Sequence, residues 1–171
     1  SAPYIWNNFL HGHQKSRILT FINPFLDPLG SGYQVIQSMI SIGSGGLLGK
    51  GLGNGTQTHL KFLPVRDSDF IISVMAEEHG FKAIFLLIIS LCVFVYWCLI
   101  FAQKIDNKYV STLIVGCCTI LYMHMIINMG MISGLLPVTG LPAPFISYGG
   151  SFFITSAILV GLINNAVNNH L

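Results

Sequence analysis

The sequence predicts an all-α, polytopic membrane protein: about three transmembrane helices joined to a large loop that carries short helices. Composition is the first observation behind this. Of 171 residues, 53% are apolar and only 8% charged, against about 25% charged in an ordinary soluble domain. That leaves too little polar surface to cover a water-exposed globule. The second observation is that residues 83–102 and 110–131 contain no Asp, Glu, Lys or Arg, and each is long enough for a bilayer, which takes about 20 apolar residues. The third is a further apolar stretch, 150–167, which reads as a span interrupted by Asn164 and Asn165.

Charge sets the expected orientation. The connection 103–109 carries Lys104, Asp106 and Lys108, as short cytoplasmic loops do. The connection 132–147 has no Lys or Arg and includes Pro137, Pro142 and Pro144, so it is expected to face outward. The chain then divides into an extracytoplasmic loop, 1–80, and a three-helix membrane part, 81–171. The chain opens at Ser1 without an initiator Met or a charged-then-apolar leader, and is expected to begin inside a longer parent.

Several function classes fall away early. A formal charge of +2 is too small and too dispersed for a nucleic-acid partner. Cys92, Cys98, Cys117 and Cys118 lie in apolar stretches without metal-ligand spacing and read as small buried hydrophobes. The run Gly45-Gly46-Leu47-Leu48-Gly49-Lys50-Gly51 has a P-loop look. Ser44 stands where that motif wants Gly, however, and Gly51 where it wants Ser or Thr. Two readings of this glycine-dense run remain: a flexible loop at the membrane surface, or a loop whose amides and Lys50 contact an anionic headgroup.

Residues 1–80 hold Lys15, Arg17, Lys50, Lys61, Arg66, Asp27, Asp67, Asp69, Glu77 and Glu78. Val35, Ile36, Met39 and Ile40 give 33–42 an amphipathic helical pattern suited to the interface plane. A second short helix is expected after Pro64, with Asp67 or Ser68 as N-cap and Gly80 as its stop. In it Asp69, Ser73 and Glu77 share a polar face, and Phe70, Ile71, Val74 and Met75 the opposite one. This is either a solvated helix face or, beside Lys61 and Arg66, a site for a lipid-linked phosphate. Within the second span, His124 is an intramembrane ionisable group. Asn128, one turn on, could hydrogen-bond it; the other reading is a neutral His satisfied by a neighbouring helix.

The motifs then bring in a resemblance. Asp27-Pro28-Leu29-Gly30-Ser31-Gly32-Tyr33-Gln34, Phe62-Leu63-Pro64, Asp69-Phe70-Ile71 and Ala76-Glu77-Glu78 resemble the large extracytoplasmic loop of the shape, elongation, division and sporulation (SEDS) family. The string from Gly134 to Ser151, with Asn128 and Gly130 before it, resembles that family's hallmark segment. The loop is closer to the RodA branch than to the FtsW branch. Two departures occur, Val65 where an acid is usual and Asp67 where His is usual. Both alter local charge balance.

The resemblance implies the C-terminal part of a larger SEDS fold in a bacterial inner (cytoplasmic) membrane, polymerising lipid II into peptidoglycan for elongation and rod shape. It implies as partners a class B penicillin-binding protein, other membrane proteins of the elongation complex, and an N-terminal half that supplies further spans. It maps the family's essential carboxylate onto Asp69. Candidate substrate-binding residues are Lys50, Lys61, Arg66, Glu77, Ser147 and Tyr148. Transfer from lipid II needs a base or an anion near the acceptor hydroxyl and positive charge near the departing diphosphate. Asp69 is the candidate for the first. The basic residues, Lys15 and Arg17 included, or a divalent cation such as Mg or Mn, are candidates for the second. Placed in a helix's first turn, Asp69 would be a weak base, because the helix dipole favours its charged form. The alternatives are a flippase for the lipid-linked precursor, or an inactive or scaffolding fragment. The outward proline loop is expected to pack against the loop carrying Asp69.

Overall fold

The computed structural model describes residues 17, 19–23, 30–55 and 69–170. All regular elements among them are helices: α1 (Ser31–Gly45), α2 (Ile71–His79), α3 (Phe81–Lys104), α4 (Lys108–Ile132) and α5 (Gly150–His170). The last three are long and apolar enough to cross a membrane. The 24 residues of α3 reach about 36 Å at 1.5 Å per residue, enough for a hydrocarbon core of about 30 Å.

Each span runs a few residues past its charge-free stretch, because the flanking polar residues make good helix ends. Lys82 and Lys104 lie in the terminal turns of α3, where long stems let the charge reach the interface. Asn107 caps α4, its side-chain oxygen accepting the Tyr109 N–H at 3.0 Å. The expected interruption of the third span does not occur, since α5 continues through Asn164 and Asn165. Asn lowers helix propensity by only some tenths of a kcal/mol. Neighbouring Ile163 and Ala166 are buried against α3 and α4, and Asn165 Oδ1 accepts from Asn169 Nδ2 one turn on (2.7 Å).

Two cores hold the bundle. Small residues (Cys98, Ala102, Cys117, Cys118 and Ala166, with Ile105, Ile114 and Ile163) fill the one near the α3–α4 connection, where Ser111 Oγ also donates to the Ala102 carbonyl at 2.7 Å. Cys92, by contrast, is exposed. The second core joins Phe70, Ile72 and Val74 of the α2 region to Met125, Met131, Ile132 and Ala143. On α3, Phe85, Leu86 and Trp97 are each more than half exposed, the apolar exterior expected of a helix facing hydrocarbon.

The buried face of α1 differs from the amphipathic pattern. Val35, Ser38, Ser41 and Gly45 are buried, whereas Met39 and Ile40 are exposed. Closeness, not apolar bulk, selects this face. Ser38 Oγ donates to the Ile132 carbonyl at the end of α4 (2.8 Å), and a β-carbon on Gly45 would overlap the Ala76 carbonyl of α2. Two glycines two residues apart therefore predict opposite outcomes. Gly45→Ala should destabilise by about 1–3 kcal/mol through overpacking. Gly43→Ala meets nothing within 4 Å and should be neutral or gain up to about 1 kcal/mol of helix propensity. Thermal unfolding in detergent measures both; equal shifts would mean that α1 and α2 do not make this contact.

Candidate functional site

Helix α2 is held at both ends, and its front end carries Asp69. The helix begins at Ile71 with Phe70 as N-cap and no side-chain cap, not at the Asp67 or Ser68 cap that the sequence favours. Burial overrides capping propensity here. Phe70 is 1% exposed, and its carbonyl accepts the Ser73 hydroxyl at 2.6 Å. Asp69 consequently lies in a turn ahead of the helix, not in its first turn. Gly80 stops the helix as expected, with φ +75 and its N–H on the Ala76 carbonyl (3.0 Å).

The polar-face expectation is also corrected. Ser73 and Glu77 are both fully buried, like Ile72 and Ala76, so α2 has no solvated stripe of carboxylates. Glu77 instead meets Lys50 Nζ at 2.8 Å. The glycine-dense run wraps the C-terminal end of α2. Lys50 N–H donates to the Glu77 carbonyl (3.0 Å), Gly51 N–H to the Glu78 carbonyl (2.9 Å), and Phe81 N–H to the Gly46 carbonyl (2.9 Å). These amides satisfy carbonyls that a helix end leaves unpaired, so the run is a fitted clamp and not a free loop. A β-carbon at Gly49 would overlap the Glu78 carbonyl, which explains the need for glycine there.

At the front end, Asn128 reaches out of α4, fully buried. Its Nδ2 donates both to the Asp69 carbonyl (2.9 Å) and to the Leu141 carbonyl (2.7 Å). The segment that Leu141 belongs to approaches the carboxylate itself: a side chain on Gly140 would place its β-carbon 3.4 Å from Asp69 Oδ2. The proline loop therefore does pack against the turn that carries Asp69. Asn128 is not the partner of His124. The imidazole stacks instead on Phe152 of α5, with centroids 4.6 Å apart, and its Nδ1 is buried without a hydrogen bond.

The other candidates fall in separate places. Ser147 Oγ accepts the Ala143 N–H (2.7 Å), and Tyr148 is 85% exposed. Both line a cavity of about 390 Å³ with Ile71 and Ile146. Lys50 and Glu77 sit at the far end of α2, on the order of 10 Å from Asp69 at helical rise. Glu78 is half-buried and Arg17 exposed. Lys15, Lys61, Arg66, Asp27, Asp67 and the Phe62-Leu63-Pro64 motif lie outside the described residues. Among those described, no three His, Cys, Asp or Glu side chains group as metal ligands.

Ile146 also lines a second cavity of about 320 Å³, with Leu87, Leu91, Phe94, Met125 and Phe145. Phe94 and Phe145 in turn line a groove of about 630 Å³ between α3 and α5. Through these shared residues the three cavities form a row from beside Ile71 along α3. Phe145, at its junction, holds φ +64, the one positive φ of a described non-glycine residue.

These features define a membrane helical bundle, with three helices long and apolar enough to span, that ties the Asp69 main chain to one of its spans. The chain belongs to the FtsW/RodA/SpoVE cell cycle protein family, whose model matches residues 1–170. It is 41% identical over 161 residues to the peptidoglycan glycosyltransferase MrdB of Escherichia coli, covering 94% of this chain and 44% of the relative. It is 39% identical over 165 residues to the stage V sporulation protein E of Bacillus subtilis, covering 96% of this chain and 42% of the relative. A solved structure of a peptidoglycan synthase complex that coordinates polymerisation and crosslinking superposes with a TM-score of 0.73. Its identity is 32%, and the match covers 97% of this chain and 44% of that one. The chain thus spans less than half the length of the relatives it matches.

Proposed function

We propose that these residues serve a peptidoglycan glycosyltransferase that polymerises lipid II, with Asp69 as the group that accepts or stabilises the proton of the acceptor hydroxyl. The observation that carries this reading is the anchoring of the Asp69 main chain: its carbonyl accepts from Asn128, which places the carboxylate beside Gly140. A group held in place before substrate arrives pays no reorganisation cost in the transition state. The row of apolar cavities from Ile71 along α3 suits the polyprenyl tail of a lipid-linked donor. Ser147 and Tyr148, at its mouth, are placed to meet the polar part. A divalent cation is compatible with this donor set, since Mg²⁺ is commonly held by one or two carboxylates together with substrate phosphates. Asp69 would supply one ligand, and the ion would neutralise charge on the departing diphosphate. A class B penicillin-binding protein that crosslinks the product is the proposed partner, in a bacterial cytoplasmic membrane.

Reconstitution tests the reading. Protein expressed from its full reading frame, placed in liposomes with lipid II, should yield glycan strands resolvable on a gel. No product under any divalent-cation condition would overturn the assignment. Orientation makes a second prediction. With the four native Cys replaced, a Cys at Asn54 should react with a membrane-impermeant thiol reagent in intact cells and one at Asn107 should not. The reverse pattern would put Asp69 on the wrong side for an extracytoplasmic polymerase.

A further inference from the structure

We propose that Asn128 is the positioning residue of the site: one side-chain amide sets the relation between the Asp69 carboxylate and the proline loop. The catalytic half of the proposal rests on the reading of Asp69 given above; the structural half does not. Both hydrogens of the Asn128 amide are used, one on the Asp69 carbonyl at 2.9 Å and one on the Leu141 carbonyl at 2.7 Å. The partners lie 59 residues before it and 13 after it. A planar NH₂ group diverges at a fixed angle, so the two carbonyls it holds are also held relative to each other. These belong to the two segments that meet at the carboxylate, where Gly140, next to Leu141, comes up against Asp69 Oδ2.

The cost of keeping an Asn here is visible. The residue is fully buried, and its Oδ1 has no hydrogen-bond partner. A buried acceptor left unmade is destabilising; Leu, of similar shape, would remove that one orphan but take the donor from both the Asp69 and the Leu141 carbonyls. What Leu cannot do is donate to two carbonyls. The orphaned oxygen is therefore what the site gives up for the two bonds made by the nitrogen. A second segment carbonyl could have been tied by a local residue, but a donor on α4 references both segments to the rigid span.

The test uses protein expressed from its full reading frame and two near-isosteric variants, Asn128→Leu and Asn128→Asp. If one does not accumulate, the other is read alone. The first measurement needs no activity. Amide hydrogen exchange should quicken in peptides covering 69–72 and 139–143, with α3 unchanged. Unchanged exchange in either segment overturns the proposal whatever the protein polymerises. The second is kinetic. A shift of about 1 Å at the reacting group costs on the order of 100-fold, so kcat should fall about that far while KM stays within roughly threefold. A merely structural role would move stability, KM and kcat together. Asp69→Glu supplies the coupling: its penalty should be large with Asn128 in place and clearly smaller in the Asn128→Leu background. Equal penalties in the two backgrounds would show that Asn128 does not act through Asp69. Should the unaltered protein fail to polymerise while the exchange result holds, the functional reading falls and the positioning geometry stands.

Discussion

Asp69→Asn should lower glycan polymerisation by about 10²–10⁴-fold, the usual contribution of a positioned acid–base group, while the protein still inserts and accumulates. The side chain changes by one atom and keeps its shape. The hydrogen bond from Asn128 goes to the Asp69 main chain, so the substitution leaves that anchor in place. The neutral amide fits the same gap beside Gly140. Only the negative charge goes, and with it the ability to take a proton or hold a cation. The KM for lipid II should therefore stay close to that of the unaltered protein, with the loss confined to kcat. Glycan product from purified protein, with accumulation read in parallel, decides the matter. Product within a fewfold of normal would remove Asp69 from the chemistry. The same variant separates a polymerase from a flippase, because a transport route has no need for this charge at the membrane surface.

What the sequence reveals and what it conceals divide along the range of the interactions. The spans are readable because hydrocarbon imposes a local rule: twenty apolar residues suffice whatever they pack against. Gly80 is readable as a stop because a left-handed turn is a local property. The start of α2 is not. Asp67 and Ser68 are good capping residues, but Phe70 is drawn into the core with Met125 and Met131, and tertiary burial outweighs a cap worth about 1 kcal/mol. Asn128 shows the same failure inside a span. An intramembrane amide must find a partner, and His124 is the nearest candidate one turn away, yet the real partners are 59 residues upstream and 13 downstream. Glu77 looks solvated because its counterion is 27 residues back, at Lys50. Asp69 itself was legible through its motif; its anchoring was not.

That ion pair predicts an unusual order of stabilities. Glu77 is fully buried and Lys50 is 27% exposed along its side chain, so the two residues do not respond alike to loss of the other. Lys50→Met leaves a buried carboxylate without its ammonium, and breaking such a pair typically costs about 3–5 kcal/mol. Glu77→Met leaves a lysine that can swing its head into water, so the cost should be smaller. Replacing both with Met puts unbranched apolar side chains into the space between the glycine run and α2. Double replacements of this kind are often close to neutral. The expected order of thermal unfolding in detergent is Lys50→Met lowest, Glu77→Met intermediate, and the double variant near the unaltered protein. The backbone bonds from Lys50 and Gly51 to the Glu77 and Glu78 carbonyls do not depend on either side chain, so the clamp itself survives. Polymerisation then separates the two roles open to Lys50. With its ammonium committed to Glu77, the double variant should polymerise at a rate within a fewfold of normal. A double variant that is stable but inactive would move Lys50 from the clamp to the diphosphate. If Lys50→Met unfolds no lower than the double variant, the Lys50–Glu77 pair does not hold the back end of α2.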